Sequence, residues 1–158
     1  MVAEKALPLR RHLLLLHFDG EEKGLLGSNH YVSAPLVPIE KTVAMLNMDM
    51  IGRNQASQMQ CGPEEPERNP AIQKILVKIS ARFGIALPGD GMGQYMKRSD
   101  QWAFMQKDIP AIFLFGGMHS DYHTQNDDPE KLNFRKMANI TKLILLFAVE
   151  VAALEQRP

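Results

Sequence analysis

Short apolar runs divide the chain into candidate strands. Three of these runs are almost wholly apolar and end at or just before a glycine: residues 13–18 (LLLLHF), 42–51 (TVAMLNMDMI) and 109–115 (IPAIFLF). Runs of this kind are typical of strands that are buried on both faces of an α/β sheet. A shorter strand is predicted at residues 58–62 (QMQCG), inside an otherwise polar connection.

Apolar residues at helical spacing separate and follow these runs. Four helices are predicted, over residues 21–33, 70–83, 99–105 and 137–154. The second has the clearest signals, because Pro70 stands at its first position after the N-cap residue Asn69, and Gly84 ends it. The last is long and amphipathic, so one of its faces is expected to cover the sheet.

The alternation of strands and helices predicts an α/β fold. Helices on both faces of a mostly parallel, mixed sheet would form a three-layer sandwich. A length of 158 residues, with 45% apolar and 23% charged residues, is ordinary for one globular domain. We therefore expect residues 1–158 to form a single domain.

Charge and composition exclude several classes of partner. Eighteen basic residues balance eighteen acidic ones, so the chain lacks the electrostatic footprint of a nucleic-acid binder. The apolar run at residues 143–149 is far shorter than the roughly 20 residues of a membrane-spanning helix. The early run at 13–16 is too short for a signal peptide and no cleavage site follows it, so no targeting segment is predicted. The lone Cys61 cannot form an intrachain disulfide.

Acids and a histidine follow the predicted strands. Glu21 and Glu22 come after the first apolar run, Asp49 interrupts the end of the second, and His123 lies in the loop after the third. Binding sites in open α/β sheets gather outside the carboxyl ends of the strands. Because carboxylates and imidazole are the ligands that zinc prefers, the pattern predicts a zinc-type site.

Several segments resemble one family of zinc peptidases. The segments FDGEEKGLLGS, LNMDMIGR, SDQWAF, DIPAIFLFGG and DYHTQND are similar to segments of aminopeptidases of the aminopeptidase S and aminopeptidase Y type. Relatives of that family include glutamate carboxypeptidase II and the glutaminyl cyclases. The resemblance covers nearly the whole chain and implies a phosphorylase/hydrolase-like zinc peptidase fold. Function still has to be argued from the site itself.

The resemblance assigns roles to individual residues. It implies that Glu21 is the general base and that Glu22, Asp49 and His123 are zinc ligands. Tyr122, beside the histidine, would stabilise the oxyanion of the transition state. The implied substrate is a peptide with a free amino terminus, and the implied cofactor is a pair of zinc ions.

Two further acids take part in the resemblance. Asp127 stands where the family has an acid downstream of the histidine. Asp100 would lie on the substrate side of the site or behind the ligands, although Gln101 stands where the family often has histidine. Asp100 is therefore a candidate substrate-binding residue, and the chain departs from the family pattern at the next position, Gln101.

The resemblance also implies an incomplete site. It begins at residue 1, in what corresponds to the helix before the glutamate strand, so the chain would represent the carboxyl-terminal half of a catalytic domain truncated at its amino terminus. A histidine of a His-x-Asp motif and a metal-bridging aspartate have no counterpart here. Glu22 and His123 would then serve one ion and Asp49 the other, which predicts partial or weak zinc occupancy.

Three functions remain open at this point. The first is zinc-dependent hydrolysis of amino-terminal peptide bonds by the complete site. The second is a non-catalytic interaction module of the same fold, and the third is acyl transfer like that of a glutaminyl cyclase. Absence of an amino-terminal half would expose a sheet edge and core surface, which predicts self-association or that missing half as partner. Export is suggested only by resemblance to bacterial relatives.

Each candidate residue also has an ordinary structural interpretation. Glu21 and Glu22 can be solvated acids that favourably meet a helix dipole. Asp49 can cap a turn before Gly52, and His123 can be a loop histidine. The flanking motifs favour the functional interpretation for these four residues. The ordinary one is kept for the remaining histidines, His12, His17, His30 and His119.

Overall fold

A small mixed sheet forms the centre of the computed structural model, which describes residues 9–55, 59–62, 69–85 and 91–158. Its three strands are β1 (Met45–Asp49), β2 (Gln60–Gly62) and β3 (Ala111–Phe115). The strand order is β1-β3-β2, with β1 parallel and β2 antiparallel to β3. The predicted strand at 58–62 is therefore confirmed over its last three residues; residue 58 lies outside the described part.

Four α-helices surround this sheet. They are α1 (Leu26–Ser33), α2 (Pro70–Arg82), α3 (Gln101–Met105) and α4 (Phe134–Ala153). The predicted helices over 70–83 and 137–154 are confirmed closely, because their apolar positions follow the helical period. Asn69 does precede α2, but its side chain makes no capping hydrogen bond. The prediction over 21–33 is confirmed in part, since a 3-10 turn (Glu21–Lys23) comes before α1.

The central strand β3 separates two apolar layers. All five of its residues are buried, which explains why its sequence is apolar throughout. Ile112 and Leu114 pack on one side into a core with α2 and α4. Phe113 and Phe115 pack on the other side, against Met92 and its neighbours. Because successive side chains of β3 point to opposite faces of the sheet, this one strand packs in both layers.

The second helical layer lies on the face of the sheet opposite α2 and α4. Tyr31 of α1 and Phe104 of α3 stack with their ring centroids 5.8 Å apart. Phe18 packs against both rings, at 6.0 and 6.1 Å. With α2 and α4 on the first face, the chain has the three layers that the sequence predicts.

The predicted strand at residues 13–18 is wrong. No residue from 12 to 18 makes a backbone hydrogen bond to another described residue. Leu16 and Phe18 pack against the cluster of α1 and α3, whereas Leu15 is 86% exposed. The apolar run predicts burial on both faces, but a strand also needs a hydrogen-bonded neighbour, and the described residues supply none.

The length and hydropathy of the helices determine whether one of them could span a membrane. Among the described helices, none is both long enough and apolar enough to cross a bilayer.

Candidate active site

Two residues with left-handed backbone conformation determine where the adjacent glutamates lie. Gly20 (φ 69°) and Gly24 (φ 101°) flank the 3-10 turn of Glu21 and Glu22, and Leu25 (φ 58°) then leads into α1. Gly27 closes this turn, because its amide donates to the Asp19 carbonyl at 2.9 Å. A Cβ atom at residue 27 would lie 2.7 Å from that same carbonyl oxygen, so only glycine fits.

Glu22 and His123 meet although 101 residues separate them in the sequence. The Glu22 Oε1 atom lies 2.7 Å from His123 Nε2. The Tyr122 ring stacks on the His123 ring, with centroids 3.8 Å apart and planes 19° apart. Both Glu22 and His123 remain more than half exposed, so the pair is open to a ligand from solvent.

Asp49 ends β1 and accepts a hydrogen bond from the Ser99 hydroxyl. The Asn47 side chain donates to Ser99 Oγ at 2.9 Å and to Gln101 Oε1 at 2.7 Å. Gln101 in turn donates to the Met96 carbonyl at 3.0 Å. These contacts explain why the apolar β1 carries polar residues, because Asn47 and Asp49 belong to one partly buried polar network.

Burial raises the pKa of two carboxyl groups at this site. For Glu21 burial is the largest cause, followed by repulsion from Glu22, Asp49 and Asp100. For Asp49 burial is again the largest cause, and the Ser99 hydrogen bond opposes it. A raised pKa keeps a carboxyl group closer to the range in which it can exchange a proton near neutral pH.

Asp100 and Tyr122 border the same group of acids. Asp100 contributes to the raised pKa of both Glu21 and Asp49, and its Oδ1 atom is buried without a hydrogen-bond partner in the structure. Burial also raises the pKa of the Tyr122 hydroxyl, with Glu22 as the next cause. Glu21 therefore lies within electrostatic reach of each of the other five predicted site residues.

The donors fit zinc chemically, but the described residues do not complete a site. Glu22 and His123 bring an oxygen and a nitrogen donor, both of types that bind zinc, within 2.7 Å of each other. In residues 9–55, 59–62, 69–85 and 91–158, no group of three or more His, Cys, Asp or Glu side chains is placed to hold a metal ion. The geometry thus provides a pair of donors and not a closed set.

Sequence patterns did not reveal the residues that support this site. The helix predicted over 99–105 begins only at Gln101, and Ser99 before it hydrogen-bonds to Asp49 instead. Arg53 ends the segment LNMDMIGR, but the resemblance gives it no role, although its guanidinium contacts Asp121 and Asp127. The one available signal is Asn47, a polar residue in an otherwise apolar strand.

Replacing Asp49 with asparagine is expected to stabilise the fold at pH 7. Because the pKa of Asp49 is raised on folding, its contribution to stability is complete below the unfolded pKa of about 3.9 and is lost as the pH rises through the folded value. An amide carries no charge to desolvate, so Asp49→Asn should gain about 0.5–2 kcal/mol, the usual range for a single stabilising substitution.

Urea unfolding at pH 7 and at pH 3.5 measures this effect. The gain should shrink at the lower pH, where the wild-type carboxyl group is also protonated. Glu155→Gln, at an exposed position, is the control and should change stability by less than about 0.5 kcal/mol at either pH. A loss of stability in Asp49→Asn at pH 7 would contradict the interpretation.

Comparison with known proteins places this geometry in a family. The sequence profile described as peptidase family M28 matches residues 1–148. A protein of Arthroderma benhamiae described as a probable leucine aminopeptidase is 30% identical over 139 residues, which is 85% of this chain and 38% of that protein. The chain therefore spans well under half the length of the curated relatives it matches.

Solved structures share the fold. An aminopeptidase from Aneurinibacillus sp. strain AM-1 is 28% identical with a TM-score of 0.67, covering 85% of this chain and 32% of that one. A zinc aminopeptidase from Bacillus subtilis is 22% identical with a TM-score of 0.70, covering 89% and 36%. A glutaminyl cyclase from Porphyromonas gingivalis is 16% identical with a TM-score of 0.60, covering 83% and 50%. The last two comparisons show the fold alone.

Proposed function

This chain belongs to peptidase family M28, and from that premise we propose that it carries the general base and part of the metal site of a zinc-dependent aminopeptidase. The substrate would be a peptide with a free amino terminus. The observation that carries the proposal is the 2.7 Å contact between Glu22 and His123, beside the acids Glu21 and Asp49. Residues 1–158 would then form one partial catalytic domain.

The donors divide between two zinc ions in this proposal. Glu22 and His123 would hold one ion, since their side chains already meet. Asp49 would hold the second, from the end of β1. Catalytic zinc normally has three protein ligands and one open position, so each ion needs donors beyond those of the described residues. Zinc binding by this chain alone is therefore expected to be weak.

Glu21 is the proposed general base. When bound, zinc lowers the pKa of a coordinated water to about 7, which makes a nucleophile available at neutral pH. The Glu21 carboxylate would accept the proton of that water and pass it to the departing amine. Its pKa, raised first by burial, suits a group that must both take up and release a proton.

Tyr122 and Asp100 would act on the substrate side. The Tyr122 hydroxyl can donate to a carbonyl oxygen as negative charge develops on it. Stacking on His123 holds the Tyr122 ring beside the proposed metal ligand. Asp100, next to Glu21 and Asp49, adds negative charge where a protonated amino terminus would bind.

The exposed leucines predict an association. Leu13, Leu14 and Leu15 are 44%, 51% and 86% exposed, and Met48 on the edge strand β1 is 44% exposed. Exposed apolar side chains and an edge strand each favour burial against another polypeptide. We propose that a second copy covers this surface when the chain is alone in solution, and a monomer in light scattering at high concentration would contradict this.

A grafted enzyme tests the proposed function. In this experiment the chain replaces the matching segment of the Aneurinibacillus aminopeptidase, which supplies the remaining donors. The graft should hydrolyse an aminoacyl p-nitroanilide in the presence of zinc. A folded but inactive graft would favour the non-catalytic module, and turnover of only an amino-terminal glutamine peptide would favour the cyclase alternative. That second alternative has support only from a shared fold.

A further inference from the structure

An arginine outside the proposed ligand set joins both ends of the turn that carries His123. Arg53 Nη2 lies 2.5 Å from Asp121 Oδ2, and Arg53 Nη1 contacts the carboxylate of Asp127. The two acids precede and follow Tyr122 and His123 in the sequence. The Arg53 side chain is only 12% exposed, so its guanidinium is fixed between the carboxylates and is not a free surface charge.

The turn itself has a conformation that needs outside support. His123 adopts φ 56°, in the left-handed region that residues other than glycine seldom occupy. Within the turn, the amide of Thr124 donates to the Asp121 carbonyl at 3.0 Å, and the amide of Asp127 donates to the Thr124 carbonyl at 3.3 Å. These local bonds shape the turn but do not fix it relative to the sheet.

The backbone around Arg53 is anchored to the sheet and to α4. The Asn54 side chain donates to the carbonyls of Gly116, Gly117 and Met118 at 3.0–3.1 Å. The Lys136 ammonium donates to the Arg53 carbonyl at 2.5 Å. Arg53 also stands only four residues after Asp49. The Arg53 guanidinium group therefore connects the segment after β1 to the loop that follows β3.

We propose that Arg53 is a positioning residue, which holds the 121–127 turn so that the His123 imidazole and the Tyr122 ring face Glu22 and Asp49. Lysine cannot replace it fully, because an ammonium group lacks the planar fork that reaches two carboxylates. The alternative is an ion pair that stabilises the fold without directing His123. The metal-binding part of this inference rests on the proposed function, but the placement of His123 does not.

The first test needs no metal. In the full chain, nuclear Overhauser contacts between the ring protons of Tyr122 and His123 report their stacking. Arg53→Met should lose these contacts while the dispersion of the amide spectrum stays that of a folded protein, and Arg53→Lys should retain them in part. Lys78→Met, which breaks an exposed ion pair with Glu150, is the control and should change nothing at His123.

The second test measures zinc affinity by calorimetry. Arg53→Met should bind zinc about 10–100-fold more weakly than the wild type, as is typical when a group that orients a metal ligand is removed. Asp127→Asn, which removes one arm of the fork, gives a milder variant if Arg53→Met does not fold. Its zinc affinity and its ring contacts should fall between those of the wild type and Arg53→Met.

The outcomes separate the two proposals. Lower unfolding stability in Arg53→Met, with ring contacts and zinc affinity like those of the wild type, would overturn the positioning role. If the wild-type chain binds no zinc at all, the proposed function fails, and the ring contacts alone then decide the role of Arg53. Loss of both readouts in a folded variant supports it.

Discussion

Replacing Glu21 with glutamine is expected to lower aminoacyl p-nitroanilide hydrolysis by the grafted enzyme about 10²–10⁴-fold, the usual contribution of a general base. Glutamine has nearly the same shape as glutamate but cannot accept the proton. Glu22 and His123 are unchanged in this variant, so zinc affinity and the melting temperature should stay close to those of the parent graft. The rate is measured at saturating substrate and zinc.

The neighbouring residue offers a matched control for this substitution. Lys23 lies in the same 3-10 turn, so Lys23→Gln changes a charge next to the site without removing the proposed base. Its rate should stay within a few-fold of the parent. Equal activity of Glu21→Gln and Lys23→Gln would remove Glu21 from the mechanism and favour the interpretation of the adjacent glutamates as solvated acids of a first turn.

Replacing Gly116 with alanine is expected to cost about 3 kcal/mol or more of unfolding free energy, at the upper end of overpacking effects. A Cβ atom at residue 116 would lie 1.7 Å from the Met50 carbonyl oxygen. The Gly116 amide donates to the Asp49 carbonyl at 3.0 Å, so the backbones of residues 49–51 and 116 have to stay close. Neither backbone can move away without breaking the β1–β3 ladder.

Gly84 provides a control that distinguishes the cost of this clash from the cost of backbone strain. Gly84 has φ 62°, and a Cβ atom added there would meet no heavy atom within 4 Å, so Gly84→Ala should cost only about 1 kcal/mol. Denaturant unfolding of both variants gives the comparison. Because Gly116 joins β3 to the loop of His123, its variant should also weaken zinc binding. A Gly116→Ala cost no greater than that of Gly84→Ala would contradict the close approach of the two backbones.

The helices of this chain could be predicted well because their signal is local. Ile72, Leu76 and Ile79 repeat at the helical period, and all three are buried where α2 meets the sheet and α4. Residues 13–18 show the limit of such reasoning. Their apolar character resembles that of β3, but pairing depends on a neighbouring strand, which the hydrophobicity of a segment does not reveal.

The site was predictable only where a motif or a chemical preference identified it. The proposed ligands Glu22 and His123 belong to separate motifs and meet in the fold, which is consistent with their assignment to one ion. Arg53 ends the motif LNMDMIGR, but nothing in that motif identifies its partners, which lie 68 and 74 residues away. Ion pairs between residues this far apart in the sequence can be identified only from the folded structure.

The network beneath Asp49 shows an intermediate case. Asn47 stands out in the sequence as a polar interruption of an apolar strand, because a buried amide requires partners. Those partners, Ser99 and Gln101, belong to a segment that follows a long loop, and nothing local connects them to β1. The sequence thus indicates that Asn47 needs polar partners, but it does not indicate which residues these are.

Calorimetric titration of the metal-stripped chain with zinc, for the wild type and His123→Ala, tests the central claim most directly. The wild type should bind zinc weakly through Glu22 and His123. His123→Ala should lower that affinity at least about tenfold, since it removes a ligand and not merely a supporting group. Affinity that is the same in both proteins, or no binding by the wild type, would contradict the assignment of this pair to a zinc ion.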